Sequence, residues 1–365
     1  MGLDKFRNRD DVKWAHPELE MSYQMMAQSV GYSEVLLNED LPLEQRKEYA
    51  EHCEDGFKQF LPDYDWSRTT EYEAPGCADE PDAPAVKLLV AQPKGKRRFR
   101  RNSPCILIIP GGALAVCLRF TAQIESWADR FGVPCATLKY RTIPEGAQFP
   151  APLNDCEAAY NFLVEHAEEL NISPNKIVIH GNSSGGHLSL ALPHRLKKHG
   201  ITCRGSVVWA PIIDDRPMYY SSKVESVFWG NGSAALSARQ YLGDLCGSSH
   251  VPPEAMPGRA TPEECVGLSP VFIHAMTEDT GLSAALHYCD TLSHAGVYNE
   301  CHAWGGTNHL ALSMNSLYGD LDNDESDYTK AFQAVLDHEF EDLFRYDLRR
   351  PWVKDMVEGT EADAE

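Results

Sequence analysis

The chain is poor in positive charge. Its 33 Lys and Arg face 54 Asp and Glu, a net charge of −21, and such a balance repels phosphate backbones, so nucleic acid is not an expected partner. No apolar run approaches the ~18 residues of a membrane helix, so no membrane span is expected. The opening MGLDKFRNRDD has neither the apolar stretch of a secretory leader nor the Ser/Thr of a myristoylation motif. The eleven cysteines include no C-x-x-C pair and no zinc-like spacing. Their number is odd, Cys105 and Cys135 sit inside apolar runs, and the 365-residue chain is far larger than a disulfide-stapled scaffold. Together these features predict a reduced, cytoplasmic protein whose cysteines mostly pack as small hydrophobes. There is no internal repeat, and 43% hydrophobic with 24% charged residues excludes wholesale disorder.

Two local charge clusters carry no ligand. Asp320, Asp322 and Asp324 have the beginning of a calcium loop, but Glu325 replaces the sixth-position Gly and Ala331 the twelfth-position Glu, so the reading fails and no metal or cofactor is expected. The basic run Lys94–Arg101 falls between two expected strands and reads as an exposed turn.

What the chain does have is alternation. Short, nearly continuous apolar runs occur at Val86–Gln92, Cys105–Pro110, Pro134–Tyr140, Lys176–His180, Gly205–Ala210, Val271–Met276 and Tyr298–Trp304. Runs of this kind are the signature of strands covered on both faces of a parallel sheet. Helical spacing links Leu153, Cys156, Tyr160, Leu163 and Ala167 within Pro152–Glu169, and a similar pattern covers Ser283–His294. Strand and helix in turn predict an α/β fold with a mostly parallel, doubly wound sheet. Residues 1–68 read as an arm with a helix over Leu43–Phe60, residues 69–350 as the α/β domain, and 351–365 as an acidic tail. Residues 214–268 interrupt the rhythm without a clear strand and read as a partly helical insertion after the sixth strand. Its aromatics Tyr219, Tyr220, Phe228 and Trp229 fit either a lid over a site or a core of the insertion's own.

The chemistry concentrates at Gly181-Asn182-Ser183-Ser184-Gly185, directly after the run KIVIH and before a helical pattern. G-x-S-x-G in strand–turn–helix context is a nucleophile elbow: the turn strains and exposes the serine, and glycines are needed where side chains would strike neighbouring strands. Ser183 is the expected nucleophile, and Ser184, at the first helical position, offers an N–H. Asp279 follows the run VFIHAM and His309 the last strand, giving the chain order Ser…Asp…His of a hydrolytic triad. Glu278 is a poorer acid by its offset. His302, inside the last strand, reads as a satisfied core histidine, and His180 and His187 as structural or pocket-lining residues. Pro193 is expected to kink or end the elbow helix early.

These residues resemble the bacterial hormone-sensitive-lipase-like branch of the α/β-hydrolases, which are carboxylesterases. The resemblance rests on Tyr140-Arg141-Thr142-Ile143-Pro144-Glu145, Phe149-Pro150-Ala151 and Asp155, and on Ala210-Pro211 with Asp214, in matching segments from about residue 86 to 315. It implies the α/β-hydrolase fold, with Ser183, Asp279 and His309 as catalytic triad. It also implies an oxyanion hole from the N–H groups of Gly112, Ala113 and Ser184, and a mainly helical cap built from the N-terminal arm and the insertion. It hints at homodimers. The chain departs from the pattern at Pro110-Gly111-Gly112-Ala113, where the family has H-G-G-G. It departs again at Asn182 and His187 around the elbow, and at Thr280-Gly281 after the acid. The expected function is hydrolysis of small or short-acyl esters through an acyl-enzyme. Deacetylation of sugars or other small molecules, amide or lactone cleavage on the same triad, and a non-catalytic small-molecule receptor are the alternatives.

Overall fold

Strands that must be covered on both faces need two layers of helix, and the chain supplies them. The computed structural model describes residues 35–58, 66–94, 102–117, 121–217, 221, 231–309, 332 and 335–336. The acidic 320–324 segment, the tail, nearly all of the basic run and the four insertion aromatics lie outside the described residues. The strands are β1 (Thr69–Ala74), β2 (Val86–Ala91), β3 (Ser103–Ile109), β4 (Cys135–Lys139), β5 (Ile172–Asn182), β6 (Gly205–Trp209), β7 (Val271–Glu278) and β8 (Asn299–Asn308). They form one sheet in the order β1-β2-β4-β3-β5-β6-β7-β8. Only β2 runs against its neighbours, β1 and β4; every other pair is parallel.

The helices are α1 (Leu43–Lys58), α2 (Thr121–Phe131), α3 (Ala151–Glu165), α4 (Ala167–Leu170), α5 (Ser184–Lys198), α6 (Asn231–Leu242), α7 (Pro262–Cys265) and α8 (Leu282–His294). Side chains alternate between layers along β3. Cys105, Leu107 and Ile109 join Leu153, Tyr160, Leu163 and Leu188 of α3 and α5. Ile106 and Ile108 turn the other way onto Ile124, Trp127 and Phe131 of α2. That period of two is what places one strand in two cores. Cys53, Cys246 and Cys301 are half-buried and the other eight cysteines buried, all as free thiols.

Three expectations change. β1 was not among the expected strands: it is an edge strand, TTEYEA, whose exposed polar side chains leave no apolar run. α2 is likewise additional. Pro193 does not shorten the elbow helix, which runs on to Lys198. A proline removes the bond to the carbonyl four residues back, and here that carbonyl, on Ser189, accepts the Ser206 hydroxyl of β6 at 3.1 Å. The sheet thus supplies the donor that the helix has lost.

The described parts of the arm and the insertion touch each other. Arg46 of α1 donates to the Leu36 carbonyl at 2.8 Å and to the Gln240 amide oxygen of α6 at 2.5 Å. Gln240 returns a bond to the Leu37 carbonyl. Within 214–268 the described residues contain helix and turn but no strand. No helix of the described residues is long and apolar enough to cross a membrane.

Candidate active site

Parallel strands that end together bring their following loops to one edge of a sheet, and the site forms there. Ser183 follows β5, Asp279 follows β7, His309 follows β8, and the Pro110–Ala113 loop follows β3 on the other flank of β5. The elbow is strained as expected. Ser183 has φ 55° and ψ −123°, a conformation that costs a non-glycine residue on the order of 1–3 kcal/mol. It is pinned from both sides: its N–H donates to the Trp209 carbonyl at 3.1 Å, and its carbonyl accepts from His187 N–H at 2.9 Å. A Cβ on Gly185 would lie 2.1 Å from the Ile109 carbonyl oxygen, and one on Gly181 would lie 2.4 Å from the Gly185 backbone. The chain can turn this tightly from β5 into α5, with β3 alongside, only without those side chains.

The three side chains form a line. Ser183 Oγ donates to His309 Nε2 at 2.8 Å, and His309 Nδ1 donates to Asp279 Oδ2 at 2.8 Å. The carboxylate beside Nδ1 fixes the tautomer, which leaves Nε2 free to accept a proton. Asp279 and His309 are almost fully buried, so the pair acts in a medium far less screening than water. Asp279 Oδ1 faces the Thr280 hydroxyl at 3.4 Å and the Gly281 N–H at 3.5 Å. Gly281 is forced by space: a Cβ there would lie 2.6 Å from the Pro211 carbonyl oxygen. Glu278, one residue earlier, is exposed.

The loop after β3 is the most contorted backbone near the site. Gly112 (φ 135°), Ala113 (φ 59°) and Leu114 (φ 60°) are consecutive left-handed residues. Gly112 has no alternative, because a Cβ would lie 2.2 Å from the Val116 carbonyl oxygen. The Tyr140–Glu145 block braces this loop: the Tyr140 hydroxyl donates to the Pro110 carbonyl at 2.9 Å, and Ile143 N–H donates to the Leu114 carbonyl at 2.8 Å. Arg141 anchors the block, clamping Asp155 and Glu80 with contacts of 2.7–3.0 Å, and holds the Glu80 carboxyl down at about 2. These bracing roles are not readable from the motif itself.

Ala113, Leu114, Ser183 and Ser184 border one cleft with His187, Ile212, Ala234, Ser237, Ala238 and Met256, about 290 Å³ of space that opens to solvent. A larger hollow of about 770 Å³ shares Ile212 and Ala234 with it and continues past Thr280, Gly281 and Asp214.

The remaining histidines separate by environment. His302 is exposed and packs against Trp304 with ring centroids 4.3 Å apart and the rings tilted by 34°; it is not a core histidine, because its side of the edge strand is open to solvent. His180 sits among Trp127, Trp209 and Phe332 and donates to the Val207 carbonyl at 2.6 Å. His187 donates from Nε2 to the Ala255 carbonyl at 2.7 Å. Burial pushes His180 down to about 3, His187 to about 4 and His194 to about 3. All three are therefore neutral at pH 7. The unfolded chain takes up their protons near its ordinary imidazole range, while the folded chain refuses them until far lower pH. Their stabilisation is complete above about pH 6.5 and is lost as pH falls toward 4. Urea unfolding at about pH 7.5 and pH 5 should show a loss of about 1–2 kcal/mol per histidine at the lower pH. Coincident midpoints would mean that the folded imidazoles are charged.

Among the described residues, Cys77, Asp79 and Glu157 bring ligand-type atoms within 4.8 Å of one another. Glu157 is already engaged there by His199 at 2.5 Å and Arg195 at 3.4 Å, so the group is satisfied by its own partners.

The fold and the aligned Ser, His and Asp define the class. A family model described as the alpha/beta hydrolase fold matches residues 111–313, and the chain belongs to that family. Esterase LipU of Mycobacterium tuberculosis is 26% identical over 257 residues, 64% of this chain and 83% of that protein. Hormone-sensitive lipase of Ictidomys tridecemlineatus is 28% identical over 116 residues, 32% of this chain but only 15% of the lipase's length. A solved bacterial heroin esterase superposes with a TM-score of 0.72 at 26% identity, covering 88% of this chain and 98% of that one. Within that family the proteins it is similar to include hormone-sensitive lipases and esterases.

Proposed function

We propose that the protein is a serine carboxylester hydrolase for small or short-acyl esters. The observation that carries this reading is the line from Ser183 Oγ through His309 to Asp279, two bonds of 2.8 Å, opening on the cleft beside Ala113 and Ser184. Relatives that are an esterase and a heroin esterase support it. Ser183 Oγ attacks the ester carbonyl carbon while His309 Nε2 takes the hydroxyl proton, and Asp279 stabilises the imidazolium. The carbonyl oxygen, now negative, is held by the N–H groups of Gly112, Ala113 and Ser184 at the start of α5. Collapse expels the alcohol, which leaves with the proton from His309. Water, deprotonated by the same imidazole, then releases the acid and restores Ser183. The described residues of the arm and of 214–268 act as a cap, with α6 over the cleft.

The short-acyl preference rests on the cleft walls, where Ala234, Ala238, Ile212 and Met256 line the narrow space beside Ser183. Rates on p-nitrophenyl esters of rising chain length test it. We expect kcat/KM to peak at about two to four carbons and to fall at least about tenfold by about ten, since each misfitted methylene costs on the order of 1 kcal/mol. A preference for chains beyond about ten carbons overturns the acyl assignment.

A further inference from the structure

The loop from Gly112 to Leu114 is strained, and each of its carbonyls is held by a donor. Gly112 O accepts from Ala115 N–H at 2.9 Å and Val116 N–H at 3.1 Å, and Leu114 O accepts from Ile143 N–H at 2.8 Å. These donors are backbone groups of the hydrolase core. The Ala113 carbonyl differs, for it accepts the Ser237 hydroxyl at 2.7 Å, a side chain 124 residues away on α6 of the insertion. Ser237 is 6% exposed and Ala113 4%, so no bulk water stands ready to replace that bond. Ala234, Ser237 and Ala238, at helical spacing i, i+3 and i+4, turn one face of α6 into the cleft. Two of the three are alanines; the third carries the hydroxyl.

We propose that Ser237 is a positioning residue that fixes the Ala113–Leu114 peptide, and with it the oxyanion-holding loop, from the insertion. This rests on the hydrolase reading above. Two consecutive non-glycine residues in the left-handed region each cost on the order of 1–2 kcal/mol, so the loop keeps that shape only while its carbonyls are tethered. Without the hydroxyl, a buried carbonyl is left unpaired, and rotation of the peptide relieves both that penalty and the left-handed strain. The residue whose N–H faces the developing oxyanion would move with it. The insertion would then set the geometry of the reaction as well as the shape of the pocket.

Ser237→Ala tests this, with Ser237→Thr as the variant that keeps a hydroxyl. On p-nitrophenyl acetate, Ser237→Ala should lose about 10- to 100-fold in kcat with KM nearly unchanged, because the hole matters mainly in the transition state. Ser237→Thr should recover much of that loss. Crystals of wild type and Ser237→Ala should show the 113–114 peptide rotated in the variant. A variant with wild-type kcat, a KM rise with kcat intact, or an unmoved peptide would overturn the proposal. A wild-type protein with no turnover above Ser183→Ala would sink the hydrolase reading instead, and the peptide orientation would still decide the tether.

Discussion

Ser183→Ala is expected to lower kcat by about 10⁶-fold, the scale on which removing a triad nucleophile abolishes acyl transfer. The variant should also lose covalent labelling by a fluorophosphonate probe. On the proposed mechanism, removing Oγ eliminates the acyl-enzyme route, leaving only the proposed oxyanion donors and substrate binding to act on a direct water attack. The fold should survive, because the contacts that pin this residue are made by its backbone to Trp209 and His187. Thermal unfolding should therefore stay within about 1 kcal/mol of wild type. Labelling that persists in Ser183→Ala would place the nucleophile elsewhere.

Asp279→Asn should cost about 10⁴-fold in kcat with little change in KM. An amide at this position presents a donor where His309 Nδ1–H needs an acceptor, so the imidazole takes the wrong tautomer and Nε2 can no longer accept the Ser183 proton. Steady-state kinetics beside Glu278→Gln decide the assignment. Glu278 is exposed at the end of β7 while Asp279 bonds His309 at 2.8 Å, so the glutamine variant should behave as wild type. The opposite pattern would reassign the acid.

Much of this architecture is legible because burial writes itself into composition. The central parts of strands β3 to β7 are buried, and each carries a short, largely apolar run. Strand β1 is covered on one side only and bounds the sheet, so its Thr and Glu side chains hide it. Helix α2 does carry a readable stripe, Ile124, Trp127, Ala128 and Phe131, but the preceding Cys, Leu, Arg and Phe are not capping types that mark a start. At the site, Ser183, Asp279 and His309 could be named because each follows a strand whose end is visible in sequence. Their supports could not. Tyr140 reaches Pro110, and Ser206 rescues the Ser189 carbonyl, through contacts between segments 17 to 30 residues apart. Ser237 reaches Ala113 across 124 residues. A single hydroxyl in an otherwise ordinary helix has no spacing to betray it, and only the tertiary fold gives it a partner.

The position of His309 sets an order on the life of the molecule. The serine rides on β5 in the middle of the sheet, whereas the imidazole rides at the tip of β8, which among the described residues ends the strand order and pairs with β7 alone. Edge strands open at lower free energy than central ones, so fraying of this margin would withdraw the proton acceptor while the elbow stays intact. Synthesis runs the same sequence in reverse: a nascent chain can shape its elbow long before residue 309 leaves the ribosome. A half-made or half-melted molecule would then hold a correctly bent but inert serine, and hydrolytic competence would switch on only when the final strand zips onto the sheet.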